Sequence, residues 1–214
     1  MHPSSSERAY VSVFAPSNTL GRRPIPRYLR LAALALALNA HAEESDWILG
    51  AYAGKYYDTE PAGFTQGRAK FLEHYLVAVT AKKTVWRSGS WPLSLEFDGM
   101  LGLQSGAATL GEAAVAPALR WGGFPWNRTV HTSVSIAPLG ISYTTAVNPL
   151  ELGQEGKGSQ ILNWLFLELA LSNPDRQSTE IFMRLHHRCA VYDLLNNYGA
   201  NGEDFFVVGL RRRF

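Results

Sequence analysis

The sequence predicts an all-β protein, an eight-stranded antiparallel transmembrane β-barrel preceded by a signal peptide, and three observations predict it. After residue 42 the chain runs in short stretches of alternating apolar and polar residues, separated by turn-forming residues. Hydrophobic residues make up 46% and charged residues only 18%, yet no stretch reaches the ~18 consecutive apolar residues of a membrane helix. The connections also alternate between long and short, as they do in bacterial outer-membrane barrels, whose long loops lie outside and whose short turns lie in the periplasm.

The leader comes first. Arg22, Arg23, Arg27 and Arg30 form a basic segment, Leu29 to Leu38 is a short apolar run broken only by Arg30, and Ala40-His41-Ala42 fits a small-x-small cleavage site. Residues 1–42 therefore read as a signal peptide with an over-long start, and residues 43–214 as the barrel. Removal of the leader takes five Arg and one Glu, so the remaining chain carries 15 basic and 17 acidic residues. The basic character of the whole sequence belongs to the leader, and nothing points to nucleic acid. Cys189 is the single cysteine, which excludes a disulfide within the chain.

Eight strands are expected, near 46–57, 70–86, 91–104, 109–122, 128–144, 158–172, 177–192 and 203–214. Residues 58–69, 145–157 and 193–202 are long, polar connections, and 87–90, 123–127 and 173–176 are short ones. No helix-period stretch is expected after Ala42. Trp47, Trp86, Trp91, Trp121 and Trp126 fall at strand ends beside the short turns, where amphipathic indoles would form an interfacial girdle. The last strand carries Phe206, Val208, Leu210 and Phe214 on one face, interrupted by Arg212. A terminal aromatic after alternating apolar residues suits edge pairing with an outer-membrane assembly machine. Arg211, Arg212 and Arg213 read as interface anchors.

The chemistry concentrates in the stretch 177–192. Its even positions, from Ser178 and Glu180 through Phe182, Arg184, His186 and Arg188 to Ala190, are largely polar and belong in the lumen. Its odd positions, Thr179, Ile181, Met183, Leu185, His187, Cys189 and Val191, are apolar but for His187 and belong to lipid. A histidine on a lipid-facing wall needs a partner. Cys189 lies two residues on, ~6.6 Å along the same face, so the pair has the geometry of a base and a nucleophile. Both stand near the outer end, at the depth of the acyl chains of lipopolysaccharide. His186 points the opposite way, into a network expected with Arg184, Arg188 and Glu180. His186 and His187 therefore cannot share a metal, and neither metal nor cofactor is implied.

On these residues the chain resembles the lipid A 3-O-deacylases, eight-stranded outer-membrane esterases marked by a His-x-Ser on the penultimate strand and an acidic residue after the last loop. The matching region here runs from Arg184 through His186, His187, Arg188 and Cys189 to Asp193, then from Asn201 through Gly202, Glu203 and Asp204 to Phe205. A weaker match extends through 109–172. The resemblance implies His187 as general base, Cys189 in the place of the serine nucleophile, and Glu203 as the acid that orients the imidazole, with Asp204 as the alternative. Ala190 stands where the family has an Asn that helps bind the oxyanion, for which Asn196, Asn197 and Asn201 are candidate substitutes.

The activity expected is hydrolysis of an ester-linked acyl chain of lipid A. The partners are lipopolysaccharide in the outer leaflet and the assembly machinery, with a homodimer left open. Replacement of Ser by Cys favours a second reading, a non-catalytic barrel with a structural, adhesion or surface role. An outer-membrane acyltransferase would need a lumenal acyl-chain cavity, which a charged lumen opposes. A soluble β-sandwich or lipocalin-like barrel is separable by burial, because only a membrane barrel would place Glu180 and Arg184 inside.

Overall fold

Strict alternation gives every strand one face for an interior and one for its surroundings, and the chain closes on that basis. The computed structural model describes residues 47–59, 61–191, 194, 195, 200 and 202–214, and of residues 61, 154 and 203 the backbone alone. The expected leader, 1–42, lies outside the described residues, as do Asn196, Asn197 and Asn201. The strands are β1 (Trp47–Tyr57), β2 (Phe71–Arg87), β3 (Leu93–Ser105), β4 (Leu110–Trp121), β5 (His131–Thr144), β6 (Ile161–Asn173), β7 (Arg176–Cys189) and β8 (Glu203–Arg213). Each pairs antiparallel with the next, and β8 pairs with β1, so the barrel is closed and has no free sheet edge.

All eight expected strands are present. Among the described residues no long helix interrupts the strands; besides two short 3-10 turns in the 145–157 connection, the first long connection contains a short helix, α1 (Pro61–Thr65). Only five residues long, it is too short to show helical periodicity and is held by aromatic packing. Phe64 stacks on Phe206 with ring centroids 5.1 Å apart and lies 4.8 Å from Tyr57. The connection before β5 is also longer than expected, because β5 begins at His131. Asn127 holds the extra residues as a turn, its Oδ1 accepting from the Thr132 N–H at 2.9 Å and its amide donating to the Gly122 carbonyl.

Charge inside and hydrocarbon outside decide the environment. Glu180 and Arg184 are buried, while Val77, Leu101, Val115, Ile141, Ile181 and Leu210 lie exposed on the outer wall. A band of bare apolar side chains around a polar interior is the signature of a barrel facing lipid. Trp47, Trp86, Trp91, Trp121 and Trp126 are all exposed near the end that carries the short turns, which is the periplasmic end. Trp164, the sixth, is buried in the lumen.

The lumen is filled by an ion-pair network. Lys82 lies 3.2, 3.4 and 3.0 Å from Glu96, Asp98 and Glu168. Arg184 contacts Asp98 and Glu168 at 2.5 and 2.6 Å, and Arg211 contacts Glu168 and Glu180 at 2.6 Å each. Arg120 reaches Glu180 at 2.5 Å. An eight-stranded barrel is only wide enough for side chains, so these charges are stable because they satisfy one another. Arg211 is thus a lumen residue, which corrects its reading as an interface anchor. It is paired with Glu180 across β7–β8 and shares that inward face, whereas Arg212 points outward. At the outer end the 145–157 connection folds over the mouth, where Glu151 is buried against Arg188 at 2.5 Å and Asn148 donates to Gln104 at 2.9 Å.

Candidate functional site on the outer wall

The site forms where the outer ends of β7 and β8 run side by side. In their register His187 lies directly opposite Asp204, and Arg188 opposite Glu203. Residues directly opposite in an antiparallel pair share a face, so Asp204 points outward with His187. Its carboxylate Oδ1 meets His187 Nδ1 at 2.6 Å. Cys189 stands two residues along the same face of β7, its thiol within electrostatic reach of the same ring. The structure therefore brings His187, Cys189 and Asp204 together. Glu203 is the next residue of β8, with its backbone opposite Arg188, and its side chain lies outside the described residues.

Asp204 would be costly on a lipid-facing wall if left bare, and it is only 4% exposed. Tyr57, at the end of β1, covers it and donates its hydroxyl to Oδ1 at 3.5 Å. Tyr57 is itself buried beneath Phe64 of α1 and lies against Phe71. The backbone before β8 closes the other side. A Cβ at Gly202 would come within 2.6 Å of His187 Cε1 and 3.0 Å of the Arg188 carbonyl, so a hydrogen is all the site accommodates there.

An apolar groove of about 410 Å³ runs away from His187 across the outer wall, lined by Ala62 and Thr65 of α1, Ile136 and Pro138 of β5, Leu165 and Leu167 of β6, and Leu185 of β7. Pro138 has no N–H to give the β5–β6 ladder, and the register shifts there, between Ala137 and Gly140. Beside Cys189, Asn163 of β6 is its direct cross-strand partner, and the Asn163 Oδ1 accepts the Val191 N–H at 3.2 Å. Tyr57, Asn163, Gly202 and the groove were not read from the sequence, because no local motif marks them and only register and loop packing bring them to His187.

His186 faces the lumen, as alternation requires. Its network differs from the one expected: Nε2 meets Glu112 at 3.1 Å and Nδ1 accepts from the Trp164 indole at 3.1 Å. Arg188 joins it through the same Glu112 oxygen at 3.7 Å while also holding Glu151, whereas Arg184 and Glu180 hold Asp98 and Arg211. Among the described residues no group of three His, Cys, Asp or Glu side chains is arranged to hold a metal ion.

No protein-family model matches the chain, and no curated protein matches it. Solved structures do. The outer membrane enzyme PagL superposes with a TM-score of 0.55 at 11% identity, over 78% of this chain and 99% of its own. The chain has the fold of a small eight-stranded transmembrane β-barrel. Neisserial surface protein A is similar to the barrel at TM-score 0.48 and 11% identity, over 79% of this chain and 98% of that one. The Yersinia pestis outer membrane protein Ail follows at 0.36 and 13%, over 77% and 98%. At these identities the likeness concerns the barrel and not its chemistry.

Proposed function

We propose that this barrel is a lipid A deacylase that hydrolyses an ester-linked acyl chain in the outer leaflet. The observation that carries the reading is the 2.6 Å contact of Asp204 with His187 on the outer wall, with Cys189 on the same face, at the head of an apolar groove. Asp204 fixes the proton of the imidazole on Nδ1, so the other ring nitrogen takes the thiol proton as Cys189 Sγ attacks the ester carbonyl. The tetrahedral intermediate collapses, the C–O bond breaks, and the imidazolium returns its proton to the sugar hydroxyl. Water, deprotonated by the same imidazole, then cleaves the thioester to release the fatty acid and restore the thiol. Lipid diffusing along the wall reaches the site without leaving the membrane, and its acyl chain lies in the groove under α1. Ala190 offers no side-chain donor to the oxyanion, and the amide of Asn163 beside Cys189 supplies one instead.

The test is mass spectrometry of lipid A from a Gram-negative host expressing the barrel, beside a His187→Ala control. Loss of one hydroxyacyl chain in the host, absent in the control, is the expected result. An unchanged profile with the barrel folded in the outer membrane rejects the reading. It would support a non-catalytic surface barrel, which Cys189 and Ala190 in the places of Ser and Asn favour.

A further inference from the structure

A second apolar trough, of about 650 Å³, crosses the lipid-facing wall from β5 to β1. Small outward residues, Gly99, Ala81 and Ala113, make its floor, and Val115, Leu101 and Ile141 rise beside them at 53%, 64% and 51% exposure. We infer that this trough seats a second acyl chain of the lipid substrate, so that the barrel selects lipids whose chains spring from a headgroup of disaccharide width. The inference rests on the deacylase reading above.

Strand register places the trough in line with the candidate site. Cys189 lies opposite Asn163, Asn163 opposite Ile141 and Ile141 opposite Val115, and the row continues through Gly99 and Ala81 to Leu49. Residues directly opposite share a face, so one outward row leads from the thiol into the trough. The row also descends. Ile141 stands near Thr144, at the outer end of β5, whereas Leu49 stands near Trp47, at the periplasmic end of β1. With strands ~4.8 Å apart and tilted by ~40°, the path from Ile141 to Leu49 covers ~19 Å of wall and drops ~12 Å, most of the ~15 Å that one leaflet gives to the hydrocarbon core.

The same spacing names the occupant. Cys189 and Ile141 stand two strands apart, ~10 Å along the wall. The groove at His187 takes the scissile chain, so a second chain entering at Ile141 must leave the headgroup about that far away. A disaccharide permits this, and the adjacent carbons of a glycerol do not. Tyr143, at the outer mouth of the trough, presents an amphipathic ring at the headgroup level. A flexible hydrocarbon chain fills a narrow channel between raised side chains. The convex wall of another barrel would rest on Leu101 and Val115 instead and forfeit contact with the floor.

The test is native mass spectrometry of the His187→Ala barrel released from micelles doped with lipid A, beside kinetics of the active barrel on lipid A and on p-nitrophenyl decanoate. Retention of one lipid A per barrel is expected. Gly99→Leu fills the floor without backbone strain, since a Cβ there meets only the Ala114 and Ala81 carbonyls at 3.7 and 3.8 Å. Gly99→Leu and Ala113→Leu should each lower retention about tenfold and raise KM for lipid A by a similar factor, with turnover of the single-chain p-nitrophenyl ester unchanged. Val77→Leu, exposed on the same wall outside the trough, should change none of these. No retained lipid A, or retention indifferent to both trough variants, overturns the inference. So does a shift from dimer to monomer in those variants, which would make the trough a contact between copies. Lipid A retained but not cleaved by the active barrel defeats the deacylase reading and leaves the second-chain site in place.

Discussion

At the scale of single residues, the outer-wall site is a chain of dependencies. Asp204 holds His187 Nδ1 at 2.6 Å, and Tyr57 holds and covers Asp204. Asp204→Asn keeps the shape but favours the wrong imidazole tautomer, so deacylation by the purified barrel should fall by about 10³- to 10⁴-fold. Tyr57→Phe removes only a long hydrogen bond, and a loss of about tenfold or less is expected. Asn163→Ala removes the proposed oxyanion donor and should lower kcat by about 10²-fold and leave KM little changed. Steady-state kinetics on a lipid A substrate separates the three.

At the scale of elements, backbone register and loop packing carry the site. Gly202 precedes β8 where a Cβ would press on the His187 ring at 2.6 Å. Gly202→Ala should tilt the ring off Asp204 and cost about 10²-fold in rate, with the heat-modifiable gel mobility of the folded barrel unchanged. Helix α1 is fastened by Phe64 against Tyr57 and Phe206. Phe64→Ala should loosen the groove wall formed by Ala62 and Thr65 and raise KM more than it lowers kcat. The strands themselves were legible because lipid outside and charge inside impose period-2 alternation. Helix α1 was not, because five residues held by aromatic contacts from β1, β2 and β8 leave no periodic trace.

At the scale of the whole molecule, the lumen is closed by its own charges. Lys82, Arg184 and Arg211 all meet at Glu168. Removing that carboxylate by Glu168→Ala leaves three buried cations competing for the remaining acids and should destabilise the barrel by about 3–5 kcal/mol in urea unfolding from lipid vesicles. The same packing predicts that the reconstituted barrel shows no steady ion conductance in planar bilayers.

The sequence by itself determined the strand number, the faces and the placement of His187 and Cys189, since alternation over β7 permits only one assignment of inside and outside. The family resemblance favoured Glu203 with Asp204 as the alternative, although alternation with Phe206, Val208 and Leu210 already puts Asp204 on the outward face of β8. That Asp204 lies directly opposite His187 is set by how β8 pairs with β7, a register across a loop with no local signal. The tertiary structure decided that pairing in favour of Asp204. It also decided the fate of Arg211, drawn inward by Glu168 and Glu180, and the groove that ends at His187. These depend on register and on chain segments far apart in sequence.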